Sequence, residues 1–292
     1  MSLTAAERWA KARSFHHSLF PAPRIAAERE ASVSVCMPAR ECAETVGEIV
    51  ARLLELREVG AIDEVLVVDA DSADGTAAVA EGAGARVRQE AELMPDLGPV
   101  LGKGDAMWRA LSILDSDLVC FLDADTSAFS SHFVTGLLGP LVCATVVSFV
   151  KAFYRRPILQ DSLAAPDGGG RVNHLMARPA LALFYPELAG VLQPLAGEVA
   201  ARRELLMGLP FVTGYGVEVA MLIDAWRAVG LEGIAQVDLD EHHNRHQPLS
   251  ALTPMAATVL ATIAGRLERE GRLSAVGGAP PERPPLASVM AT

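Results

Sequence analysis

Two apolar runs that each end in acidic residues constrain the fold of this chain more than any other feature. Glu64–Asp69 reads EVLVVD and continues into an Asp-rich turn, and residues 118–122 read LVCFL and continue into Asp123-Ala124-Asp125. Continuous apolar runs of this length are typical of parallel strands buried on both faces. Ligands of open α/β sheets bind in the crevice outside the carboxyl ends of such strands. We therefore expect both acidic clusters to face one crevice.

Alternating strand and helix patterns extend this interpretation along the chain. Further strands are predicted at residues 33–37 (ending before Pro38), 85–88 and 146–154, and helices at 46–54, 76–81, 103–114, 215–229 and 249–273. Strands that alternate with helices predict an α/β fold with a mostly parallel sheet flanked by helices.

The same patterns suggest a division of the chain. Residues 1–30 are interpreted as an N-terminal arm, 31–150 and 151–275 as two halves of the fold, and 276–292 as a disordered tail because that segment is rich in Pro, Gly and Ala.

Composition excludes several classes of protein. Lys plus Arg number 25 against 36 Asp plus Glu, a net charge of −11, which argues against nucleic acid as the main partner. We find no apolar stretch long enough to span a bilayer and no apolar signal core near the start, so we expect a cytoplasmic protein with no membrane partner. The four cysteines form no CxxC pair, so neither a zinc ribbon nor a disulfide framework is indicated.

The acidic strand ends suggest metal and phosphate chemistry. Asp123 and Asp125 offer the hard oxygen ligands that Mg²⁺ or Mn²⁺ prefers, and such an ion stabilises a diphosphate leaving group. A solvated acidic turn is the alternative for an isolated Asp-x-Asp, but a second acidic strand end favours metal or donor binding. Gly102-Lys103-Gly104 precedes a helix, where backbone amides and an ammonium favour an anion. The chain has no Walker loop, no GxGxxG after its first strand and no GxSxG.

Three features of the second half are candidates for binding. The glycine loop that ends in Arg171 is either an anion site, in which the guanidinium makes a bidentate contact with a phosphate or carboxylate, or a flexible connector. Glu218 is either a buried acid of the site or a favourable first-turn carboxylate. Residues 238–246 read DLDEHHNRH, and three histidines in five residues beside acids indicate a metal or phosphate site. Spacing does not settle which histidine is used.

Many segments together resemble one known family. From residue 33 to 249 they are, in order, PAR, VLVVDADSADGT, GKGDAMWRAL, FLDADT, GGGRVNHL, LFYPELAGVLQPLAGE, PFVTGYGVEVAMLIDA and GIAQVDLDEHHNRHQPL. They resemble GT-A glycosyltransferases and, more narrowly, the actinobacterial glucosyl-3-phosphoglycerate and mannosyl-3-phosphoglycerate synthases. The resemblance implies a Rossmann-like GT-A fold, retaining transfer of a sugar from a UDP- or GDP-sugar to a small acceptor, Mg²⁺ or Mn²⁺ as cofactor, and a homodimer. Residues 31–150 would bind the nucleotide sugar and 151–275 the acceptor.

The resemblance also assigns roles residue by residue. The donor and nucleotide set is Pro38, Ala39, Cys42, Asp69, Ser72, Lys103, Asp123, Ala124, Asp125, Gly197 and Glu198. The acceptor set is Gly169, Gly170, Arg171, Val172, Asn173 and His246. The metal ligands would come from Asp125, His243, Asn244 and His246. The residues expected to act in catalysis are Lys103, Arg171 and Glu218.

Three departures from the family pattern leave the substrates open. Cys42 stands where the family usually has Glu, Asn173 stands for Thr, and Asn244-Arg245-His246 stands for His-Arg-Asn. A 3-phosphoglycerate-like acceptor therefore competes with a thiol or natural-product acceptor that is glycosylated from a GDP-sugar. A sugar-phosphate nucleotidyltransferase is the alternative class, although the basic glycine-rich loop expected after its first strand is missing.

The mechanism is open between two routes. Because no carboxylate is obviously placed as a nucleophile, we favour same-face attack by an acceptor that Arg171 aligns. A glycosyl-enzyme intermediate on Glu198 or Glu218 is the alternative.

Overall fold

The fold is described from a computed structural model for residues 3–160, 163–165, 168–243, 248–273 and 281–290. The strands are β1 (Ser14–His16), β2 (Val33–Ala39), β3 (Glu64–Asp69), β4 (Arg86–Gln89), β5 (Leu118–Phe121), β6 (Phe149–Arg155), β7 (Ile158–Gln160), β8 (Leu163–Ala165), β9 (Val199–Arg202), β10 (Phe211–Val212), β11 (Ile234–Glu241) and β12 (Glu282–Arg283). The α-helices are α1 (Ala5–Arg13), α2 (Ala22–Glu28), α3 (Val46–Glu58), α4 (Thr76–Gly82), α5 (Lys103–Ala110), α6 (His132–Cys143), α7 (Arg178–Phe184), α8 (Arg203–Met207), α9 (Val217–Val229), α10 (Leu249–Arg269) and α11 (Leu286–Met290). A π-helical turn, Asn173–Ala177, precedes α7.

One eight-stranded sheet organises the fold, with strand order β1-β11-β6-β9-β5-β2-β3-β4. All neighbours pair in parallel except β9, which runs antiparallel to both β5 and β6. The predicted α/β class with a mostly parallel sheet is therefore confirmed. Strand β9 lay outside the prediction because its sequence, VAAR, is short and carries no alternation.

Apolar side chains cover both faces of this sheet. In one core, helices α3 and α6 pack on one face of the sheet. Val35 of β2 and Val67 of β3 belong to that face. The other combines the opposite face with α5, α9 and α10, and its largest buried side chain is Trp108. Burial on both faces explains why β5 and the interior of β3 read as uninterrupted apolar runs, and why the one polar residue inside β2, Ser34, is itself buried.

The direction of the strands defines the edge where chemistry can occur. The parallel strands β2, β3, β5, β6 and β11 all end at the same edge, and the antiparallel β9 begins there. Val199, its first residue, lies opposite Phe121 and Lys151. One edge of the sheet therefore brings together the segments that follow the parallel strands and the segment that precedes β9.

Two predicted boundaries need correction. Strand β2 continues through Pro38 to Ala39, because its pairing with β5 ends at Cys36 and only the β3 neighbour remains beside the proline. Residues 3–28, predicted as an arm, form α1, β1 and α2 on the fold, and β1 adds a parallel strand to the sheet. The indole of Trp9 is buried and donates to the Leu231 carbonyl at 2.9 Å.

The predicted disordered tail also needs correction for residues 281–290. Strand β12 pairs with β10, and Leu286 of α11 is fully buried. Arg283 places its Nε 2.7 Å from Asp105 Oδ1, and the Asp105 carboxylate is itself buried. A buried charge partner and a buried leucine fix this segment on α5 although its composition is typical of disorder. The division into two halves is not tested by the fold and stays a prediction.

Helix α10 passes a length and hydropathy test for a membrane span, which the sequence interpretation missed. The 21-residue helix has an 18-residue window of mean hydropathy 1.2, of which 22% is buried in the fold. A search for an unbroken apolar run does not find this helix, because α10 contains Pro254 and several threonines. A helix that packs on the core of a protein can pass the same test, and α10 contacts α9.

Candidate active site

Lys103 joins two carboxylates at the centre of the strand-end crevice. Its Nζ donates to Asp123 Oδ1 at 2.5 Å and to Glu218 Oε1 at 2.9 Å. Lys103 opens α5, Asp123 follows β5, and Glu218 lies in the first turn of α9. Burial alone would lower the pKa of Lys103, but the charges of Asp123 and Glu218 outweigh it and raise that pKa above its usual range. The lysine is therefore held as a cation between the two acids.

Asp125 is the carboxylate of the pair that stays open to the crevice. Its pKa is raised, first because surrounding protein atoms displace water and second because the negative charge of Asp123 lies nearby. Two neighbouring carboxylates at the strand-end edge form an oxygen donor set suited to a hard divalent cation. The residues present thus fit the predicted Mg²⁺ or Mn²⁺.

Glycines let the backbone approach these side chains closely. A Cβ at Gly197 would lie 2.1 Å from Asp123 Oδ2, so only glycine fits beside this carboxylate. A Cβ at Gly104 would lie 1.8 Å from the Val212 carbonyl oxygen, so glycine is needed where α5 begins against β10. The GKG motif therefore serves close packing of the Lys103 helix as well as any anion contact.

Glu198 is a buried anchor rather than an open group. Its Oε2 accepts a hydrogen bond from Tyr154 at 2.7 Å, and its Oε1 lies 2.9 Å from His242 Nε2. Burial opposes the charge, yet His242 and Tyr154 outweigh it and hold the pKa of Glu198 well below its usual range. The Tyr154 and His242 rings stack with centroids 4.5 Å apart. This network ties the start of β9 to the ends of β6 and β11.

A cavity of about 270 Å³ connects the acidic centre with the glycine loop. Its wall includes the charged group Lys103, Asp123, Asp125 and Glu218, and also Arg156 with the loop residues Gly169, Gly170, Arg171, Val172 and Asn173. Gly169 donates its amide to the Arg156 carbonyl at 2.9 Å, which fixes the loop to the end of β6. The structure thus brings the predicted acceptor loop to the same cavity as the predicted donor residues.

Asn173 lines the cavity, but its side-chain amide is hydrogen bonded to backbone groups. Its Nδ2 donates to the Leu192 carbonyl at 3.1 Å, and its Oδ1 accepts from the Leu195 amide at 3.4 Å. The side chain is 5% exposed. Asn173 therefore shapes the wall of the cavity by holding residues 192–195.

The predicted base and nucleotide residues form a separate group beside the cavity, at the ends of β2 and β3. Asp69 is buried, and its Oδ2 accepts from the Ser72 amide at 3.1 Å. Ser72 Oγ accepts from the Glu41 amide at 2.9 Å. The Asp69 Oδ1 has no hydrogen-bond partner among the described residues. A buried carboxylate oxygen without a partner is a candidate acceptor for a ligand donor group.

Cys42 is buried in the same core cluster as Ala39. Its amide donates to Thr76 Oγ1 at 2.8 Å, and its thiol donates to the Arg40 carbonyl at 3.2 Å. Burial raises the pKa of the Cys42 thiol to about 11, so it is neutral near pH 7. Ala124 is fixed from this side, because its carbonyl accepts from Thr45 Oγ1 at 2.6 Å.

The candidate metal ligands after β11 are only partly described. The His243 backbone pairs with Ser127, two residues beyond Asp125, with the Ser127 amide 2.9 Å from the His243 carbonyl. The His243 side chain lies 3.4 Å from Glu241 Oε2. Asn244 and His246 lie outside the described residues, so their assignment to the metal and acceptor stays a prediction.

Sequence reasoning missed three groups of this site. Arg156 lines the cavity, and its guanidinium lies 5.4 Å from the Tyr154 ring centroid. Lys151 is buried and donates to the Ala196 carbonyl, and Tyr215 lines the cavity mouth. The strand-end rule that found Asp69 and Asp123 would have found Arg156 too, since it follows β6 directly. Lys151 carried no comparable signal because it stands inside an apolar strand.

A GT-A sheet with Asp-x-Asp, lysine and a glycine-arginine loop around one cavity defines a nucleotide-sugar-dependent glycosyltransferase. Comparisons with known proteins give the family. The profile of Glycosyl transferase family 2 matches residues 34–155. Over 267 residues the chain is 42% identical to a glucosyl-3-phosphoglycerate synthase of Petrotoga mobilis, covering 89% of this chain and 82% of that protein. The chain belongs to glycosyl transferase family 2, among the relatives of glucosyl-3-phosphoglycerate synthase.

Two solved structures are similar over nearly the full chain. The mannosyl-3-phosphoglycerate synthase of Rubrobacter xylanophilus is 45% identical, with a TM-score of 0.89 and 98% of each chain covered. A glucosyl-3-phosphoglycerate synthase of Mycobacterium tuberculosis in complex with Mn²⁺, UDP-glucose and phosphoglyceric acid is 37% identical, with a TM-score of 0.82 and 92% and 95% covered. The predicted family, fold and glycosyltransferase class are confirmed, and the nucleotidyltransferase alternative is set aside. The predicted divalent-metal cofactor is confirmed by the Mn²⁺ in the M. tuberculosis complex.

Proposed function

We propose that this chain transfers a hexosyl group from a nucleoside diphosphate sugar to 3-phosphoglycerate. The observation that carries the proposal is the charge composition of the cavity wall, which combines three carboxylates (Asp123, Asp125 and Glu218) and Lys103 with two arginines (Arg156 and Arg171). The relatives named for glucosyl and mannosyl transfer to 3-phosphoglycerate support the same acceptor.

The donor would bind at the acidic side. A divalent metal held by Asp125, with a ligand from residues 243–246, would neutralise the diphosphate as it leaves. Lys103 is already placed as a cation between Asp123 and Glu218, so it can orient the donor and offset developing negative charge. Gly197 leaves room for the Asp123 carboxylate beside the donor sugar.

The acceptor would bind at the arginine side. 3-Phosphoglycerate carries a carboxylate, a phosphate and a single free hydroxyl, so two guanidinium groups can fix both anions and orient that hydroxyl. The Arg156 Nε is buried without a hydrogen-bond partner among the described residues, which favours an anionic ligand there. A neutral thiol or natural product, the alternative acceptor, would offer the buried Arg156 Nε no anionic partner.

Two arginines that are adjacent in sequence provide a test of the acceptor side. Arg156→Met should raise the KM for 3-phosphoglycerate by roughly 10- to 100-fold, since one charge-assisted contact of about 1.5–3 kcal/mol is lost. Arg155→Met is the control, because Arg155 is exposed and pairs with Glu241 at 3.3 Å. Equal KM values in both variants and the parent would rule out the arginine side as the acceptor site.

The donor base is open between uracil and guanine. The neutral, buried Cys42 offers no carboxylate to a base, so recognition would fall to neighbouring groups such as the Asp69 Oδ1. Thermal unfolding with UDP, GDP, UDP-glucose and GDP-mannose, each with Mn²⁺ and with EDTA, tests this, because ligands of the folded state raise the Tm. A Mn²⁺-dependent shift with one base identifies the donor class. No shift with any of them would contradict the donor site.

Transfer with retention is part of the proposal. Both oxygens of Glu198 are hydrogen bonded, and Glu218 pairs with Lys103, so neither carboxylate stands open as a nucleophile. We therefore favour same-face attack by the acceptor hydroxyl. Proton NMR of the first product should show the anomeric configuration of the donor, and an inverted product would contradict this mechanism.

A homodimer and a cytoplasmic location complete the proposal. Large apolar side chains are exposed on α7, on α10 and on the π-helical turn that precedes α7. They include Leu175, which is 79% exposed, and Leu183, which is 72% exposed. A second copy of the chain would cover them, as the sequence resemblance suggests. Sedimentation equilibrium should give twice the chain mass, and Leu183→Glu should shift the protein toward a monomer; a monomeric parent would contradict the dimer.

A further inference from the structure

Two adjacent histidines converge on one carboxylate that lies outside the cavity lining. His17 Nε2 lies 2.7 Å from Asp240 Oδ2, and His16 Nε2 lies 3.2 Å from Asp240 Oδ1. Among the residues that the structure describes, this is the group of three His, Cys, Asp or Glu side chains whose ligand atoms all lie within 4.8 Å of one another. None of the three lines the cavity or belongs to the predicted catalytic set.

The backbone explains how consecutive histidines reach the same partner. Successive residues of a strand point to opposite faces, which would separate His16 from His17. Strand β1 ends at His16, however, and a helical turn begins at His17, so the chain rotates between them. From the other side, a register irregularity of β11 lies between Asp238 and Glu241, and Asp240 adopts a left-handed φ of 66°.

Further contacts orient the three side chains. His16 Nδ1 lies 2.8 Å from Ser18 Oγ, and the Asp240 amide donates to Asp238 Oδ1 at 2.9 Å. The His17 ring stacks on His132 with centroids 4.0 Å apart, and both nitrogens of His132 are used by Ser130 Oγ and the Leu239 carbonyl. Hydrogen bonds and packing that hold ligand rings in place are typical of metal sites.

We propose that His16, His17 and Asp240 bind a zinc-class divalent cation. Two imidazole nitrogens and one carboxylate form a donor set suited to Zn²⁺, whereas Mg²⁺ and Mn²⁺ prefer oxygen ligands. The 3.2 Å between His16 Nε2 and Asp240 Oδ1 is close to the separation of two ligands around a tetrahedral ion with bonds of about 2.0–2.1 Å. The 2.7 Å between His17 Nε2 and Asp240 Oδ2 is a hydrogen-bond distance, so this pair would move apart by roughly half an ångström when the ion binds. Asp240 is 46% exposed, so water has access to the fourth position.

Such an ion would link the edge strand β1 to its neighbour β11. The ligands join β1 to β11, and β11 leads directly into His242 and His243 at the crevice. Zinc would therefore stabilise the N-terminal segment on the fold and the strand that carries the end of the active site. The proposal does not depend on which sugar or acceptor the chain uses.

The test measures zinc content and thermal stability of the full chain. After treatment with EDTA, the protein is dialysed against limiting ZnCl₂, then analysed for bound zinc by mass spectrometry and for its Tm with ZnCl₂ and with MnCl₂. The parent should hold one zinc per chain and gain Tm with zinc but not to the same extent with manganese. His17→Gln and Asp240→Asn should each weaken zinc binding by roughly 100-fold.

Two control variants make the result specific. Asp125→Asn should keep the bound zinc, which excludes the donor-side carboxylates as its site, and His174→Gln should keep it as a matched surface histidine. If His17→Gln does not fold, the half-exposed His16→Gln carries the same test. Zinc retained equally by the ligand variants, or less than a stoichiometric amount in the parent, would overturn the proposal.

Discussion

Lys103 Nζ lies 2.5 Å from Asp123 Oδ1, so the lysine of the glycine-flanked motif neutralises the first acid of the Asp-x-Asp motif before any ligand binds. Two sequence motifs 20 residues apart are thereby joined by one ion pair and form an electrostatic unit. Glu218, 2.9 Å from the same nitrogen, completes it.

This unit predicts a large kinetic effect for Lys103→Met. In the proposed function Lys103 faces the leaving diphosphate, so removing this preorganised cation should lower kcat/KM by roughly 10²- to 10³-fold. Lys11→Met is the matched control, since Lys11 is exposed on α1 and should leave kcat/KM unchanged. Steady-state kinetics of both variants decide the point, and a loss below threefold for Lys103→Met would show that the lysine is structural only.

The close approach of Gly197 to Asp123 predicts that Gly197→Ala is damaging at the site. The new Cβ would lie 2.1 Å from Asp123 Oδ2 and must displace this carboxylate from Lys103. We expect activity to fall by about 100-fold, the order of effect that a misplacement of about 1 Å can have. Gly82→Ala, where nothing lies within 4 Å of the new Cβ, is the control and should keep its activity. Normal kinetics for Gly197→Ala would contradict the packing at Asp123.

Lys151 predicts a specific pH dependence of stability. Burial lowers the pKa of Lys151 to about 8, whereas the unfolded chain keeps it near its usual 10.5. Between these values the unfolded state binds more protons than the native state, so the Lys151 contribution to the free energy of unfolding rises with pH. Below pH 8 the buried ammonium costs stability in full, and above about 10.5 this cost is gone.

Lys151→Met isolates this contribution. The free energy of unfolding of the parent minus that of the variant should increase by roughly 2–3 kcal/mol from pH 7.5 to pH 10.5, as expected for a shift of this size. Urea unfolding at both pH values measures it, and titration of other groups cancels in the difference. A difference independent of pH would mean that Lys151 is not buried as a titrating group.

The C-terminal segment predicts a stability role for Arg283. Its Nε lies 2.7 Å from Oδ1 of the buried Asp105, which also lies 3.4 Å from Arg109. Arg283→Met leaves Asp105 with a weaker partner and should lower the free energy of unfolding by about 3 kcal/mol. Arg52→Met, which breaks an exposed pair with Glu55, should change it by less than about 1 kcal/mol. Chemical denaturation compares the two, and equal effects would show that residues 281–290 do not stabilise α5.

The parts of the fold that follow from local pattern were predictable from sequence. EVLVVD coincides with β3 residue for residue, because a strand buried on both faces needs an unbroken apolar run. The parallel direction then placed the acids after β3 and β5 at one edge. Strands β1 and β9 carried no such pattern, since β1 is a three-residue edge strand and β9 is short.

Single residues of the candidate site could be named from the sequence, whereas the contacts between them depend on long-range packing. Lys103, Asp123 and Glu218 were each recognised, but their direct pairing depends on how α5 and α9 pack. Asn173 was expected at the acceptor, yet its amide holds the backbone at Leu192 and Leu195. The carboxylate of Glu198 was expected near the donor sugar, and its bonds to Tyr154 and His242 show a local anchoring role that sequence spacing does not contain.

Direct detection of the product tests the central claim. The chain is incubated with Mn²⁺, 3-phosphoglycerate and either UDP-glucose or GDP-mannose, and the products are measured by liquid chromatography and mass spectrometry. We predict a product heavier than 3-phosphoglycerate by one hexosyl unit, formed in equal amount with the released nucleoside diphosphate and lost on addition of EDTA. Folded protein that binds a donor but forms no such adduct with either nucleotide sugar would contradict the proposed function.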